Sequence, residues 1–161
     1  DRSVSRGLGD VYKRQGKDYT VLIDYSHTPD SLENILRAVR GFCTGRIIAV
    51  FGCGGDRDPF KRPVMGKIAA ELSDLAIVTS DNPRTEDPYK ILRQILAGMQ
   101  DTETPYEVIE SRVSAIGRAM ELAQKDDVIV LCGKGHETYQ EVCGEKRHMD
   151  ERELVAAYTN G

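Results

Sequence analysis

The sequence predicts an α/β domain of the Rossmann-like, three-layer kind: a mostly parallel sheet of about six strands with helices on both faces. Three observations carry this. From Gly16 onward, short apolar runs rich in Val and Ile alternate with amphipathic stretches of helix length. The runs are apolar on both faces, as central strands of a parallel sheet must be. The segments that follow the runs are rich in glycine, charge and histidine, whereas the segments that lead into them are polar and plain.

The strands are predicted at residues 19–24, 47–51, 75–79, 106–109 and 127–131. Between them, Leu32, Ile35, Leu36 and Val39 mark one helix face, and Met65, Ile68, Ala69 and Leu72 a second. Ile91, Leu92, Ile95 and Leu96 mark a third, and Val113, Ile116, Gly117 and Met120 a fourth. Thr28-Pro29 and Asp87-Pro88 each place a side-chain oxygen at an N-cap and a proline at the first helical position, and Gly41 closes the first helix. After the fifth strand, residues 138–142 and the Gly144-Glu145-Lys146 turn predict an extra strand, followed by a last helix from about residue 150 to 158. Residues 1–15 carry four basic and two acidic side chains among Ser and Gly with no clear period, and are expected to be a tail or linker outside a domain spanning residues 16–161.

With 161 residues, 40% hydrophobic and 30% charged, the chain can bury one core. Its 22 basic and 26 acidic residues leave a net charge of -4, which argues against a nucleic-acid tract or a polybasic membrane patch. Cys43, Cys53, Cys132 and Cys143 are far apart with no CxxC pair, so neither a disulfide scaffold nor a zinc finger is expected. No apolar stretch reaches the length of a membrane span. The expectation is a soluble cytoplasmic domain with reduced thiols.

In a parallel sheet, every loop leaving a strand for the next helix emerges at one edge, where ligands bind. Those loops are Asp24-Tyr25-Ser26-His27, Gly52-Cys53-Gly54-Gly55-Asp56-Arg57-Asp58, Ser80-Asp81-Asn82-Pro83-Arg84, Glu110-Ser111-Arg112 and Gly133-Lys134-Gly135-His136-Glu137. The glycines after the second strand let backbone N–H groups approach an anion, yet the loop lacks the GK[ST] ending of a P-loop and the third glycine of GxGxxG. A tight turn explains the glycines alone; the neighbouring Asp56-Arg57-Asp58 favours a site. Arg84 can hold a carboxylate bidentately, against the plainer reading of a surface arginine paired with Asp81 or Glu86. Arg57 and Asn82 on the same edge favour the former. Glu137 suits a ligand ammonium, while Lys134 fits a solvated turn. His136-Glu137 is no zinc-protease motif, because position 140 is Gln140. Asp24 and His27 suit ribose and base or phosphate contacts, with a helix-capping cluster as the alternative. Cys53 and Cys132 are expected to be small packed residues.

Taken together, Asp24 to Asp30 (DYSHTPD), Gly52 to Asp58 (GCGGDRD), Ser80 to Arg84 (SDNPR) and Gly133 to Glu137 (GKGHE) resemble the C-terminal domain of the Mur ligases. The branch is the tripeptide synthetases, of the meso-diaminopimelate-adding type. The resemblance runs from about Lys17 to the end; residues 1–15 lie outside it, and His148-Met149 stands where an aromatic residue is expected before Asp150-Glu151-Arg152-Glu153. It implies an ATP-dependent amide ligase that adds the third residue of the peptidoglycan stem peptide to UDP-MurNAc-L-Ala-D-Glu through an acyl phosphate. It also implies that the P-loop, the Mg2+ ligands and a carbamylated lysine belong to a central domain and the UDP site to an N-terminal one, both missing here, so that this domain holds no metal and no catalytic residue. What remains is the amino-acid pocket and one wall of the ATP site. By resemblance, Arg84 takes the distal carboxylate of meso-diaminopimelate, with Asp81, Asn82, Pro83, the Gly133 backbone, Glu137 and Arg57 around the rest of the ligand. Asp24, Tyr25 and His27 face ATP. The competing expectations are the same domain of an L-lysine-adding ligase, differing mainly at Arg84, and a free-standing nucleotide- or amino-acid-binding module.

Overall fold

A computed structural model of the chain describes residues 4–5, 10–13 and 18–159. Among these residues, seven strands form one sheet and two more form a separate hairpin. Five strands run parallel: β3 (Thr20–Asp24), β4 (Ile47–Phe51), β5 (Leu75–Val78), β6 (Tyr106–Val108) and β7 (Val128–Cys132). Two antiparallel strands, β1 (Val4–Ser5) and β2 (Asp10–Lys13), extend the sheet beyond β3. The order is β1-β2-β3-β7-β4-β5-β6, so the last parallel strand in the chain lies between the first two. The α/β architecture and all five parallel strands agree with the sequence reading. Residues 4–5 and 10–13, expected to be tail, are strands instead. Pairing of β2 with β3, and of β1 with β2, supplies the order that the sequence pattern of this segment does not announce.

The strands split one apolar run between two cores. On β7, Val128, Val130 and Cys132 face a cluster built on helices α1 (Pro29–Arg40), α2 (Lys61–Leu72) and α3 (Pro88–Ala97). Ile129 and Leu131 face a second cluster with Ala115, Ile116, Ala119 and Met120 of α4 (Arg112–Leu122) and Val155 of α5 (Glu151–Thr159). Period-two alternation with both faces covered explains why the run reads as uniformly apolar. β6 departs from that expectation: it is the sheet edge, and Tyr106 and Val108 are exposed. Val113, expected on the inner face of α4, is exposed as well, and Arg112 is turned inward in its place.

Helix ends follow local chemistry. Thr28 caps α1 in a reciprocal capping box with Ser31, Asp87 caps α3 through the Tyr89 N–H, and a proline opens both helices. Asp24 and His27 take no part in the α1 cap, which removes the capping alternative for them. The extra strand expected after β7 is a full hairpin, β8 (Tyr139–Val142) with β9 (Glu145–His148). Cys143 and Gly144 turn it with φ of 49° and 80°, the left-handed pair that a two-residue hairpin loop requires.

Arg112 and Glu151 form an ion pair at 2.6 Å, each side chain 0% exposed. The guanidinium also donates to the carbonyls of Ser80 (3.2 Å) and Cys132 (2.9 Å), so it ties α5 to the C-terminal ends of β5 and β7. Removing one partner strands a buried charge. Arg112→Met is expected to lower unfolding free energy in urea titrations by about 3–5 kcal/mol, and adding Glu151→Leu to recover most of that loss.

Candidate functional site

The loops after β3, β4, β5 and β7 meet at one edge of the sheet and line a cavity of about 270 Å³. Tyr25 and His27 come from the first loop, Gly52, Cys53, Gly54, Arg57 and Asp58 from the second, Asp81, Asn82 and Arg84 from the third, and Gly133 and Glu137 from the fourth. Helix α2 closes the remaining side with Lys61, Arg62 and Met65. Glu110, Ser111 and Arg112, expected on the same rim, do not line it. Ser111 caps α4 and Arg112 points under the rim to Glu151.

The second and third loops are laced together. Gly55 N–H donates to the Asn82 carbonyl at 2.7 Å, and the Asp56 carboxylate accepts from the Thr85 hydroxyl at 2.7 Å. A Cβ on Gly55 would lie 1.8 Å from the Pro83 carbonyl oxygen, so only glycine permits this approach. Pro83 is therefore buried against the second loop rather than lining the cavity. Arg62, 1% exposed on α2, braces both loops from beneath: it donates to the Gly54 carbonyl (2.9 Å), to both Glu86 oxygens (2.8 and 3.1 Å) and to Gln94 (2.6 Å).

Arg84 has φ of 52°, and its Nη1 donates to the Gly55 carbonyl at 2.9 Å while Nε lies 3.4 Å from Glu141 on β8. It pairs with neither Asp81 nor Glu86, contrary to the surface-arginine alternative. Gly54 separates it from Arg57: a Cβ there would meet Arg84 Nη1 at 2.9 Å and Arg57 Cγ at 3.6 Å. Arg57 itself is exposed, and its Nη1 donates to the Asp56 carbonyl at 3.0 Å. Two guanidiniums thus flank one glycine at the cavity wall, a geometry suited to a carboxylate. The hairpin secures this loop through the backbone, with Arg84 N–H donating to the Glu141 carbonyl and Cys143 N–H to the Arg84 carbonyl.

On the fourth loop, Gly133 has φ of 118°, and a Cβ there would come 3.0 Å from Asp81 Oδ2. Lys134, expected in a solvated turn, is wholly buried. Its Nζ donates to Asn82 Oδ1 (2.7 Å) and the Tyr139 carbonyl (3.0 Å) and lies 3.2 Å from Asp81 and 3.4 Å from Glu137. Glu137 and Asp81 give the cavity two carboxylates, which suit an ammonium ligand. Glu137 also raises the Tyr25 pKa above its usual value, with burial adding to the effect. Tyr25 and His27 rings stand 4.9 Å apart, and His27 Nδ1 lies 3.0 Å from the Tyr25 carbonyl.

Asp24 is apart from His27. It accepts from Ser26 N–H at 3.0 Å and from the Ser26 hydroxyl, and lines a second, more open hollow of about 480 Å³ with Ile23, Tyr25, Gly135, His136 and Glu137. Tyr25 and Glu137 belong to both hollows. Cys53 is buried against Met65 and burial pushes its thiol up to about 12; Cys132 is raised for the same reason, so both are the packed thiols expected. Arg62, Lys134 and Gln140, whose side-chain amide donates to the Asp81 carbonyl, were not identified from the sequence. A signal for Arg62 does exist: it lies three residues before Met65 and seven before Ala69, on the inner stripe of α2.

One α/β rim thus gathers the four motifs around a cavity lined by both basic and acidic side chains, the arrangement expected of a Mur ligase C-terminal domain. The chain belongs to the Mur ligase family: residues 10–135 match the Mur ligase, glutamate ligase domain. That match begins inside the segment expected to be tail. The chain is similar to the UDP-N-acetylmuramoyl-L-alanyl-D-glutamate–2,6-diaminopimelate ligase of Trichormus variabilis, 63% identical over 141 residues, covering 88% of this chain and 28% of that protein. The Clostridium tetani protein of the same name is 56% identical over 137 residues, covering 85% of this chain and 28% of its own length. A solved structure of a ligase of that name superposes with a TM-score of 0.91 at 37% identity, covering 97% of this chain and 32% of that one. The chain therefore spans about a third or less of the length of these relatives.

The Arg62 brace has a pH signature. Hydrogen bonds from Arg62, then the Asp56 N–H, hold the Glu86 carboxyl at about 2, below its usual 4.5. A depressed carboxyl stabilises the fold fully above about pH 4.5 and loses that contribution as pH falls towards about 2. Urea midpoints measured from pH 7 down to 2 are expected to drop along this limb in the wild type and to flatten in Glu86→Gln.

Proposed function

We propose that this chain is the C-terminal, amino-acid-binding portion of an ATP-dependent ligase that joins meso-diaminopimelate to UDP-MurNAc-L-Ala-D-Glu during cytoplasmic synthesis of peptidoglycan precursors. The observation that carries the reading is the convergence of Arg57, Arg84 and Glu137 on one cavity that Asn82 and Gly133 also line. Diaminopimelate bears a carboxylate and an ammonium at its far end, whereas lysine bears the ammonium alone. Arg84, with Arg57 beside it, takes the distal carboxylate; Glu137 and Asp81 receive the ammonium; and the Gly133 backbone and Asn82 complete the fit. The names of the relatives and the family match support the same substrate class.

In the reaction, ATP phosphorylates the D-glutamyl carboxylate, the bound amine attacks the acyl phosphate, and the tetrahedral intermediate collapses with loss of phosphate. This chain's contribution is to hold the amine donor in register, and through Asp24, Tyr25 and His27 to face the nucleotide. Fixing one reactant beside the other converts a bimolecular encounter into a step within one complex. The P-loop, the UDP site and the ligands for Mg2+ belong, on this reading, to the rest of the ligase. Among the described residues no cluster of three or more His, Cys, Asp or Glu side chains is placed to hold a metal. Among the described residues, too, no helix is long and apolar enough to cross a membrane.

Two experiments test the reading. The chain on its own is expected to show no ATP-dependent ligation, and turnover by it alone would contradict the proposed division of labour. In the intact ligase, a guanidinium left without its carboxylate penalises lysine by roughly 2–5 kcal/mol. Coupled phosphate-release assays are expected to show that preference for diaminopimelate and its collapse in Arg84→Ala. Equal use of lysine by the wild type, or discrimination that survives Arg84→Ala, would refute the pocket assignment.

A further inference from the structure

Lys134 lies behind the cavity rather than in it. It sits in a glycine loop, yet its side chain is 0% exposed. Burying an ammonium is costly unless its donors are taken up and its charge is balanced. The Asn82 amide oxygen at 2.7 Å and the Tyr139 carbonyl at 3.0 Å accept from it, with the Asp81 and Glu137 carboxylates at 3.2 and 3.4 Å.

Counting donors and acceptors shows what this does to the cavity wall. Asn82 Oδ1 has two lone pairs, and both are occupied, by Lys134 Nζ and by the Glu141 N–H at 2.9 Å. Since both partners can only donate, the amide has one orientation, and its remaining capacity is the Nδ2–H pair, which donates. Asn82 is thereby committed to greeting a carboxylate. Charge leads to a matching result. One ammonium stands against two carboxylates, Asp81 and Glu137, leaving a single negative charge for one ligand ammonium to balance.

We infer that Lys134 is a positioning residue of the amino-acid pocket: it holds Asn82 as a donor towards a ligand carboxylate and Glu137 as an acceptor towards a ligand ammonium. The inference rests on the ligase reading above and deepens it by assigning part of the diaminopimelate preference to a side chain that touches no ligand. Without the ammonium, the Glu141 N–H alone holds the Asn82 oxygen, and the amide turns more readily to present that oxygen to the cavity and repel a carboxylate. The wall also becomes more negative, which favours the cationic side chain of lysine. Loss of Lys134 therefore acts in opposite directions on the two amino acids, whereas simple loosening of the loop weakens both alike.

Steady-state kinetics on the intact ligase test this with Lys134→Met and Lys134→Gln, folding being followed by thermal unfolding of the same samples. Lys134→Met is expected to raise KM for diaminopimelate about 30-fold, leave KM for ATP within about twofold, and lower the diaminopimelate-over-lysine ratio of kcat/KM at least about tenfold. Lys134→Gln keeps an N–H donor for Asn82 and is expected to retain more of that ratio while still raising KM for diaminopimelate about fivefold or more. Should the methionine variant fail to fold, the glutamine variant decides alone: an unchanged KM for diaminopimelate overturns the inference. Equal rises for both amino acids, or an unchanged ratio, overturn it as well. A wild type that does not prefer diaminopimelate overturns instead the ligase reading beneath it.

Discussion

Opposite charges that share one cavity must be kept from satisfying one another, and the rim is arranged around that constraint. Arg84 is anchored by the Gly55 carbonyl and by Glu141, and Glu137 lies against the buried Lys134. Arg84 and Glu137 are not paired with each other. Each charge at the wall is held by a second group behind it, so the cavity keeps both polarities on offer. Fixed, partly desolvated charges discriminate between ligands far better than exposed ones, because a mismatched ligand leaves one of them unpaired.

The sheet makes such anchoring possible. Four parallel strands end at one edge with their apolar side chains locked into cores on both faces, so the loops leave from rigid points. Three buried braces then hold the loops in register: Arg62 under the second and third, Lys134 between the third and fourth, and Arg112 beneath the ends of β5 and β7. The β8–β9 hairpin adds backbone hydrogen bonds on both sides of Arg84, where φ is positive and the chain would otherwise resist the conformation.

The parts legible in the sequence are those set by short-range chemistry. The Thr28-Pro29 and Asp87-Pro88 caps, the apolar faces of α1 and α3 and the five parallel strands depend on neighbours within a turn or on a period, and the structure agrees with them. The rim was legible too, because parallel topology alone brings four distant motifs to one edge. What stayed hidden are charges whose burial depends on remote partners. Lys134 meets Asn82 across 52 residues, Arg62 meets Glu86 across 24 and Arg112 meets Glu151 across 39. In sequence Lys134 and Arg112 resemble solvated surface charges, and Arg62 is set apart only by its place on the inner stripe of α2. β2 escaped notice for a related reason, since its order comes from pairing with β3 rather than from its own pattern.

Where the two ends of the amino acid lie decides the pocket assignment, and a crystal structure of the intact ligase bound to meso-diaminopimelate observes that directly. The predicted result places the distal carboxylate within hydrogen-bonding distance of Arg84 and its neighbouring ammonium against Glu137, with the Asn82 Nδ2 group turned towards the ligand. A ligand seated outside this cavity, or bound with its ammonium towards Arg57 and Arg84, would contradict it.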